Sequence, residues 1–384
     1  MFVIHVTPLI RGTQLESLSY FSSVDYSIGS FLNVPVRGKT EAAIVLSSKP
    51  VSTTKTALKA ATFSLRKLPN QVDPIILPET LRKTAESLFT KYPATVGALL
   101  FALLPPDVRN GTRAYPRINV IPHSEETAPQ ILTARFDDRL IHYKSHVRSA
   151  FAHRGSVLLV VPTAAHIPAV SKQLEQGIEE RIVILSPNDT KKKRDAAFLK
   201  LEDDSLAKLI ITTPSYAYVE RVDLTTIIVE EAASTHYKMR QRPYLDHRDA
   251  LKAYAKAGGR SLIFGDTVSR TEDEVKRREE KYLTYDQEAK RIAFTAPLTI
   301  VKQKDKPTAE KLFELFSPEL IRSAERALEA RGRVFLFAAR RGLAPIVLCI
   351  DCGYIFRCPE SNSPYSLVRT MRGSEEERWF VCGT

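Results

Sequence analysis

The stretch LTTIIVEEAASTHYK, Leu224 to Lys238, decides the fold. A β-branched apolar run that ends abruptly in two carboxylates, Glu230 and Glu231, reads as a buried parallel strand presenting acids at its C-terminal edge, where open α/β sheets bind ligands. The plain alternative for these acids is a solvated strand end. Related runs surround the stretch: GSVLLVVPT, RIVILSPND and AKLIITTPSY before it, GRSLIFGD after it, with helical segments between several of them. That rhythm, from residue 131 to about 295, is the rhythm of a doubly wound parallel sheet.

Outward from this block the pattern changes on both sides. Residues 1–105 begin with strands, FVIHVTPL, SFLNVPV and EAAIVLSS, then a helix from about Pro78 to Lys91 and a second ending before Pro105 and Pro106, which predicts a small β-rich module. Residues 106–130 carry Pro, Gly, Asn and Thr without apolar periodicity and are expected to be a linker. Residues 296–384 open a further unit. There Ser317 is the expected N-cap, Pro318 and Glu319 the first turn, and Gly332 the stop of a helix, followed by an expected strand RVFLFAA and a cysteine-bearing segment. The run Lys191 to Arg194 reads as a solvated helix start.

The chain has 384 residues, 43% of them hydrophobic, enough for two or three cores, and its formal net charge is +12. The charge is uneven: residues 1–120 hold 14 Lys/Arg against 7 Asp/Glu, which favours a polyanionic partner. No apolar run approaches the roughly 20 residues of a membrane span, and the first residues lack a secretory pattern, so a cytoplasmic, nucleoid-associated location is expected. All four cysteines, Cys349, Cys352, Cys358 and Cys382, lie in the last 36 residues. Such clustering suggests metal ligation more than a disulfide framework.

Together these blocks resemble the primosomal protein N′ (PriA) family of replication-restart, superfamily 2 DNA helicases. The resemblance runs along Ile227 to Asp249, IIVEEAASTHYKMRQRPYLDHRD, against a family pattern of acidic strand, YK and PRYHARD-like stretch. It continues in SPELIRSAERALEARGRVFLFAARRGLAP and in RRGLAPIVLCIDCGYIFRCPES. It implies a 3′-end DNA-binding domain, a RecA-like first helicase lobe, and the start of a second lobe with a zinc-knuckle segment. Only about 25 residues separate the first two, fewer than the winged-helix domain that many members insert there.

The resemblance also implies where a nucleotide would sit. A P-loop needs glycines whose backbone N–H groups wrap phosphates, a Lys for the β/γ charge and a hydroxyl for magnesium. The family's GSGKTEVY falls on FDDRLIHY, Phe136 to Tyr143: the glycines become Phe136 and Asp138, the Lys becomes Arg139 and the hydroxyl Leu140. Asp137 and Asp138 would face the triphosphate at a cost on the order of 1 to 4 kcal/mol. After Glu230 and Glu231 the family's next Glu and His are Ala232 and Ala233, and its GSATPS-like motif reads GDTVSR, Gly265 to Arg270. ATP and magnesium are therefore not expected as cofactors, and Arg139, Glu230 and Glu231 are expected as remnants of an ATPase site.

Zinc is the cofactor the family's CxxC pairs would take. Here Cys349 and Cys352, followed by Gly353, make one complete pair, Cys358 faces Ser361, and Cys382 opens a further pair beside the terminal sequence FVCGT, which reads as a chain cut short. The ligand set is incomplete.

In the N-terminal module the resemblance places Leu18, Ser19 and Tyr20 at a pocket for a 3′-terminal nucleotide, with Tyr20 offering a stacking face worth about 1 to 3 kcal/mol. It assigns close backbone approach to Gly38 and phosphate contacts to Arg37, Lys39 and Lys59. The expected partners are forked or single-strand-containing DNA with a 3′ end, and with it primosome and single-strand-binding proteins. The expected function is DNA binding in replication restart without ATP-driven unwinding. An active ATP-dependent 3′-to-5′ helicase is the alternative, and would need a G-x-x-x-x-G-K-[ST] loop that the sequence lacks. A protein-interaction module without DNA specificity is a second one.

Overall fold

Seven short segments pair side by side in the middle of the chain, the central ones apolar and buried on both faces and the last of the seven exposed. In the computed structural model, which describes residues 1–11, 16–53, 65–71, 74–109, 128–285, 298–301, 316–337, 343–359, 362–372 and 375–382, they are β6 (Gln130–Thr133), β7 (Ser156–Val160), β8 (Ile182–Leu185), β9 (Leu209–Thr212), β10 (Leu224–Glu230), β11 (Ser261–Asp266) and β12 (Leu283–Thr284). Their order is β12-β6-β11-β10-β7-β9-β8, parallel throughout. The two-residue period of β10 sends Ile227 and Val229 to one face and Ile228 to the other, and all three are fully buried. Each such side chain contributes about 1.5 to 3 kcal/mol.

The crossovers are helical. They include α4 (Phe136–Ala152), α5 (Ile167–Leu174), α6 (Lys191–Glu202), α7 (His247–Ala257) and α8 (Thr271–Arg278), all five after the helices of the N-terminal part, α1 (Glu79–Phe89), α2 (Val96–Leu103) and α3 (Pro106–Arg109). Helix α6 is the solvated start read at Lys191 to Arg194, capped by Thr190, whose hydroxyl accepts from the Lys193 amide.

The N-terminal strands β1 (Phe2–Pro8), β2 (Leu18–Ser22), β3 (Phe31–Val36), β4 (Lys39–Pro50) and β5 (Arg66–Lys67) form a separate sheet in the order β3-β4-β1-β2-β5. Its own core holds Ile4, Val6, Tyr20, Leu32, Val34 and Val45. Helices α1 and α2 do something different: Leu81, Leu88, Leu100 and Leu103 join the core on the β10 face that contains Ile227 and Val229. Polar contacts reinforce this. Asp249 of α7 accepts from Lys91 Nζ at 2.5 Å and from the Tyr92 hydroxyl at 2.7 Å. Buried Thr80 donates to Glu220, which is also paired with Arg260. In the segment expected to be a linker, Asp107 of α3 accepts from Arg194 Nε at 3.1 Å and the Tyr216 hydroxyl at 2.9 Å, so its first residues are docked on the wound domain; residues 110–127 lie outside the described ones.

The chain separates into two compact units, residues 1–293 and 294–384. In the second, α9 (Pro318–Glu329) starts as its sequence predicts: the Ser317 hydroxyl accepts from the Leu320 amide at 3.2 Å. The chain leaves the helix at Ala330, two residues before Gly332. The strand expected at RVFLFAA is not formed over residues 333–337, where Phe335 is 87% and Phe337 81% exposed. An apolar run becomes a strand only where a neighbour takes up its backbone hydrogen bonds, and among the described residues none pairs with it. Strands β13 (Tyr365–Arg372) and β14 (Glu375–Cys382) form an antiparallel hairpin.

Candidate nucleotide and DNA-binding sites

The position that the resemblance aligns with the family's phosphate loop is the first turn of α4, which follows β6 and lies beside β11 and β10. Asp137 and Asp138 are exposed there and complement the helix N-terminus. Arg139 and Tyr143, four residues apart and so on one face of α4, both turn inward to Glu230 at the end of β10. Arg139 Nε donates to Oε2 at 3.0 Å and Nη2 to Oε1 at 2.5 Å, while Tyr143 donates to Oε2 at 2.6 Å. Nη1 of Arg139 is satisfied by the Ala134 carbonyl at 2.7 Å and the Thr267 hydroxyl at 3.1 Å. Burial pulls the Arg139 guanidinium down, but the Glu230 hydrogen bonds and charge outweigh it and hold it above its ordinary value. Burial, then the Glu230 charge, pushes the Tyr143 hydroxyl well up.

Glu230 is thus not a solvated acid at a strand end. It is 1% exposed, both of its oxygens are engaged, and its backbone carbonyl accepts from Tyr237, whose hydroxyl also reaches Val160 O. Burying a lone carboxylate is prohibitive, and the fork of an arginine on α4 is what makes this burial tolerable. Gly265, the residue kept from the coupling motif, has a local reason: a Cβ there would lie 1.7 Å from the Tyr143 hydroxyl oxygen and 3.3 Å from Arg139 Cδ.

Glu231 departs from its neighbour. It sits at φ 48°, half-exposed, with Oε2 3.3 Å from His166 Nε2. The turn after it is fixed from two sides: Ala233 N donates to Asp266 at 2.7 Å, and Arg248 Nη1 donates to Ala232 O at 2.7 Å. Beyond this turn an open groove runs across the C-terminal ends of β7, β8 and β9, with Thr163, Asn188, Thr213, Ser215 and His236 among its walls and no carboxylate among its lining residues.

In the N-terminal sheet, Leu18 and Ser19 are half-buried on β2, and the Ser19 hydroxyl is 2.9 Å from His5 Nδ1. Tyr20 is a core residue, 4% exposed, and its hydroxyl donates to Pro35 O at 2.7 Å. Its ring is packed rather than presented. The bond ties β2 to the foot of the β3–β4 turn, where Arg37 (φ 47°) and Gly38 (φ 82°) are both left-handed, the signature of a tight hairpin turn. A Cβ on Gly38 would meet nothing within 4 Å, so this glycine serves the turn and not a close approach. Arg37, Gly38 and Lys39 are exposed together. Lys59 lies outside the described residues. Sequence reasoning missed Arg66 and Lys67, exposed on β5, which pairs in parallel with Tyr20 and Phe21 and brings two cations beside the expected pocket. A two-residue strand leaves no periodic signal to read.

The cysteines form two similar turns. Gly353 N donates to Cys349 O at 2.9 Å and Asn362 N to Cys358 O at 2.9 Å, and the fifth residue of each is left-handed, at φ 71° and 56°. Cys358 and Cys382 line one pocket. Hydrogen bonds from the Cys352 and Asp351 backbone pull the Cys349 thiol below its ordinary value. Yet among the described residues no three His, Cys, Asp or Glu side chains converge, so the tetrahedral set that zinc requires is not assembled by them. No helix among the described residues is long and apolar enough to cross a membrane.

No family model matches the chain. Among curated proteins it is 22% identical to the replication restart protein PriA of Helicobacter pylori over 386 residues, covering 96% of this chain and 57% of that protein. It is 24% identical to PriA of Haemophilus influenzae over 234 residues, or 58% of this chain and 30% of that one, and 25% identical to PriA of Chlamydia muridarum over 235 residues. The chain thus spans little more than half the length of the first of these relatives and less of the others. Among solved structures, the UvsW helicase of bacteriophage T4 aligns with a TM-score of 0.27 at 11% identity over 39% of this chain and 54% of that one, too low a score to add to the fold described above. At 22 to 25% identity, and over much of its length, the chain is similar to replication restart proteins named PriA from several bacteria.

Proposed function

We propose that this chain is a DNA-binding protein of replication restart that engages the 3′ end of a nascent strand and does not unwind DNA with ATP. The observation that carries the second half is the Arg139–Glu230 pair. To bind magnesium, Glu230 would have to release an arginine fork and a tyrosine hydroxyl inside a dry core, leaving a buried cation behind, a loss of about 3 to 5 kcal/mol. The relatives that carry the name PriA support the restart context.

On this reading the exposed turn Arg37–Gly38–Lys39 and the neighbouring Arg66 and Lys67 hold phosphates, Leu18 and Ser19 border the terminal nucleotide, and Tyr20 acts as a positioning residue through Pro35. The acid-free groove at the ends of β7, β8 and β9 suits the backbone of a single strand, whose phosphates take hydroxyl and backbone N–H donors. Phosphate contacts of this kind make affinity fall steeply with salt.

The test is fluorescence anisotropy of the chain on a fork with a free leading-strand 3′-OH, against the same fork with a 3′-phosphate, each with and without ATP and magnesium. Tighter binding to the free end, indifferent to ATP, is the expected result. Equal binding to both forks removes the 3′-end reading, and an ATP-dependent change removes the closed nucleotide position.

A further inference from the structure

A second cationic pocket lies at the opposite edge of the wound sheet from Glu230. Its walls come from the residues that enter the N-terminal ends of β6, β11 and β12, Pro129, Arg260, Glu280 and Lys281, and from Lys252 and Lys256 on α7. Lys252 and Lys256 are four residues apart and so share one face of the helix. Four cations and one carboxylate, Glu280, line the depression, with Glu220 behind Arg260 and apolar patches from Ala255 and Leu262.

Arg260 distinguishes this pocket from a patch of surface lysines. Its side chain is 0% exposed, its Nη2 donates to Glu220, and its guanidinium carbon stacks 4.5 Å over the Tyr254 ring. Nε and Nη1 are buried and make no well-aligned hydrogen bond among the described residues, the Tyr254 hydroxyl being the polar group beside them. An unsatisfied buried donor costs about 1 to 3 kcal/mol, more when charged, and it projects positive potential into the space beside it. Lys252 is itself held in a setting that disfavours its charge. Burial first, and the neighbouring Lys276 second, push its ammonium below its ordinary value. Both Lys252 and Lys276 stand 5.0 Å over the Tyr282 ring, so two cations share one aromatic face. A bound anion would relieve both conditions.

We propose that this pocket binds a phosphate monoester or free phosphate. Donors arriving from a helix face, a strand entry and a β12 entry surround a tetrahedral dianion better than a planar carboxylate, which would be served by a single fork. The site is separate from the Arg139–Glu230 cluster and from the N-terminal sheet, and does not depend on the function proposed above.

The experiment is calorimetric titration of the full chain with inorganic phosphate, and in parallel with a 5′-phosphorylated and a 5′-hydroxyl dinucleotide. The variants are K252A/K256A on the pocket face and K191A/K192A on the exposed start of α6 as a charge-matched control. Saturable one-to-one binding that weakens about tenfold or more in K252A/K256A, and is unchanged in K191A/K192A, is the expected result. If the 5′-phosphate dinucleotide binds about tenfold more tightly than inorganic phosphate, the natural ligand is an ester; equal binding points to free phosphate. Arg260→Lys, which keeps the charge and loses the fork, should weaken binding while circular dichroism shows the chain folded. Equal affinity of the wild type and K252A/K256A, or no saturable binding at about 10 mM phosphate, overturns the proposal.

Discussion

Arg139 and Glu230 face each other through two parallel hydrogen bonds, at 3.0 and 2.5 Å, with side chains 2% and 1% exposed and 91 positions apart in the chain. The pair joins the first turn of α4 to the end of the central strand. Its energetic role is asymmetric: together the two charges are near neutral for stability, but either one alone is a buried, uncompensated ion. Arg139→Met should therefore lower unfolding free energy by about 3 to 5 kcal/mol, as should Glu230→Leu, and the double replacement of both should recover most of it. Urea denaturation of the four proteins of the cycle measures this. A single-variant loss below about 1 kcal/mol would mean that the pair is not closed in solution.

Gly265 gives a steric counterpart. Its missing side chain admits the Tyr143 hydroxyl, which a Cβ would meet at 1.7 Å. Gly265→Ala should cost about 1 to 3 kcal/mol as an overpacking change. Adding Tyr143→Leu should make the alanine nearly neutral, though Glu230 then loses one donor. If the alanine is equally costly with and without Tyr143, the strain lies elsewhere.

The apolar strand runs were legible because burial on both faces leaves an unbroken signal, as in LTTIIVE and SLIFG. The helix start at Ser317 was legible because capping is local. The Arg139–Glu230 contact was not, since nothing in a sequence links residues so far apart; the available hint was that an arginine and a tyrosine recur at helical spacing on a face otherwise lined by Leu140 and Val147. The burial of Tyr20 was not legible for a related reason. A strand aromatic is equally compatible with a stacking surface and with a core, and only the curl of the sheet that carries its hydroxyl to Pro35 decides. The expected strand at residues 333–337 failed because apolarity supplies burial only where a partner strand exists.

His247 predicts a pH dependence. It is buried against Tyr218, whose hydroxyl lies 2.9 Å from Nδ1, and burial lowers its value from 6.5 to about 4. Between those limits the unfolded chain holds a proton that the folded chain refuses, so stability falls as pH drops from 6.5 toward 4. The slope is about 1.4 kcal/mol per pH unit for this one proton. His247→Gln should flatten the stability profile in that window, measured by denaturation at fixed ionic strength from pH 7 to 4.5. An unchanged slope would assign the acid sensitivity to other groups.

Asp249 tests how the first two helices are held. It accepts from Lys91 and from Tyr92, and these bonds, working against the upward push of burial, hold its carboxyl below the usual range. The Lys91 bond is half in solvent, so Lys91→Ala should cost no more than about 1 kcal/mol. Tyr92→Phe removes a hydroxyl that also accepts from Asp246 N at 3.2 Å and should cost about 1 to 2 kcal/mol. Hydrogen exchange should then rise in α1 and α2 ahead of β10. Uniform acceleration across the unit instead would show that the helices and the sheet open together.

The cysteine turns differ in one checkable respect. Amides of Cys352 and Asp351 converge on the Cys349 sulfur and favour its thiolate, whereas the partner turn has Ser361 where the first has Cys352. The thiolate is the reacting form, so its fraction at a given pH sets the alkylation rate. Cys349 should therefore label with iodoacetamide at lower pH in the folded chain than in the urea-unfolded chain, read at that residue in peptide mass spectra. Cys352→Ser, which keeps the backbone amide and removes the thiol, should leave most of that advantage, because the backbone bonds are the larger cause. Equal pH profiles for Cys349 in the folded and unfolded chain would show that the turn does not hold its amides toward the sulfur in solution.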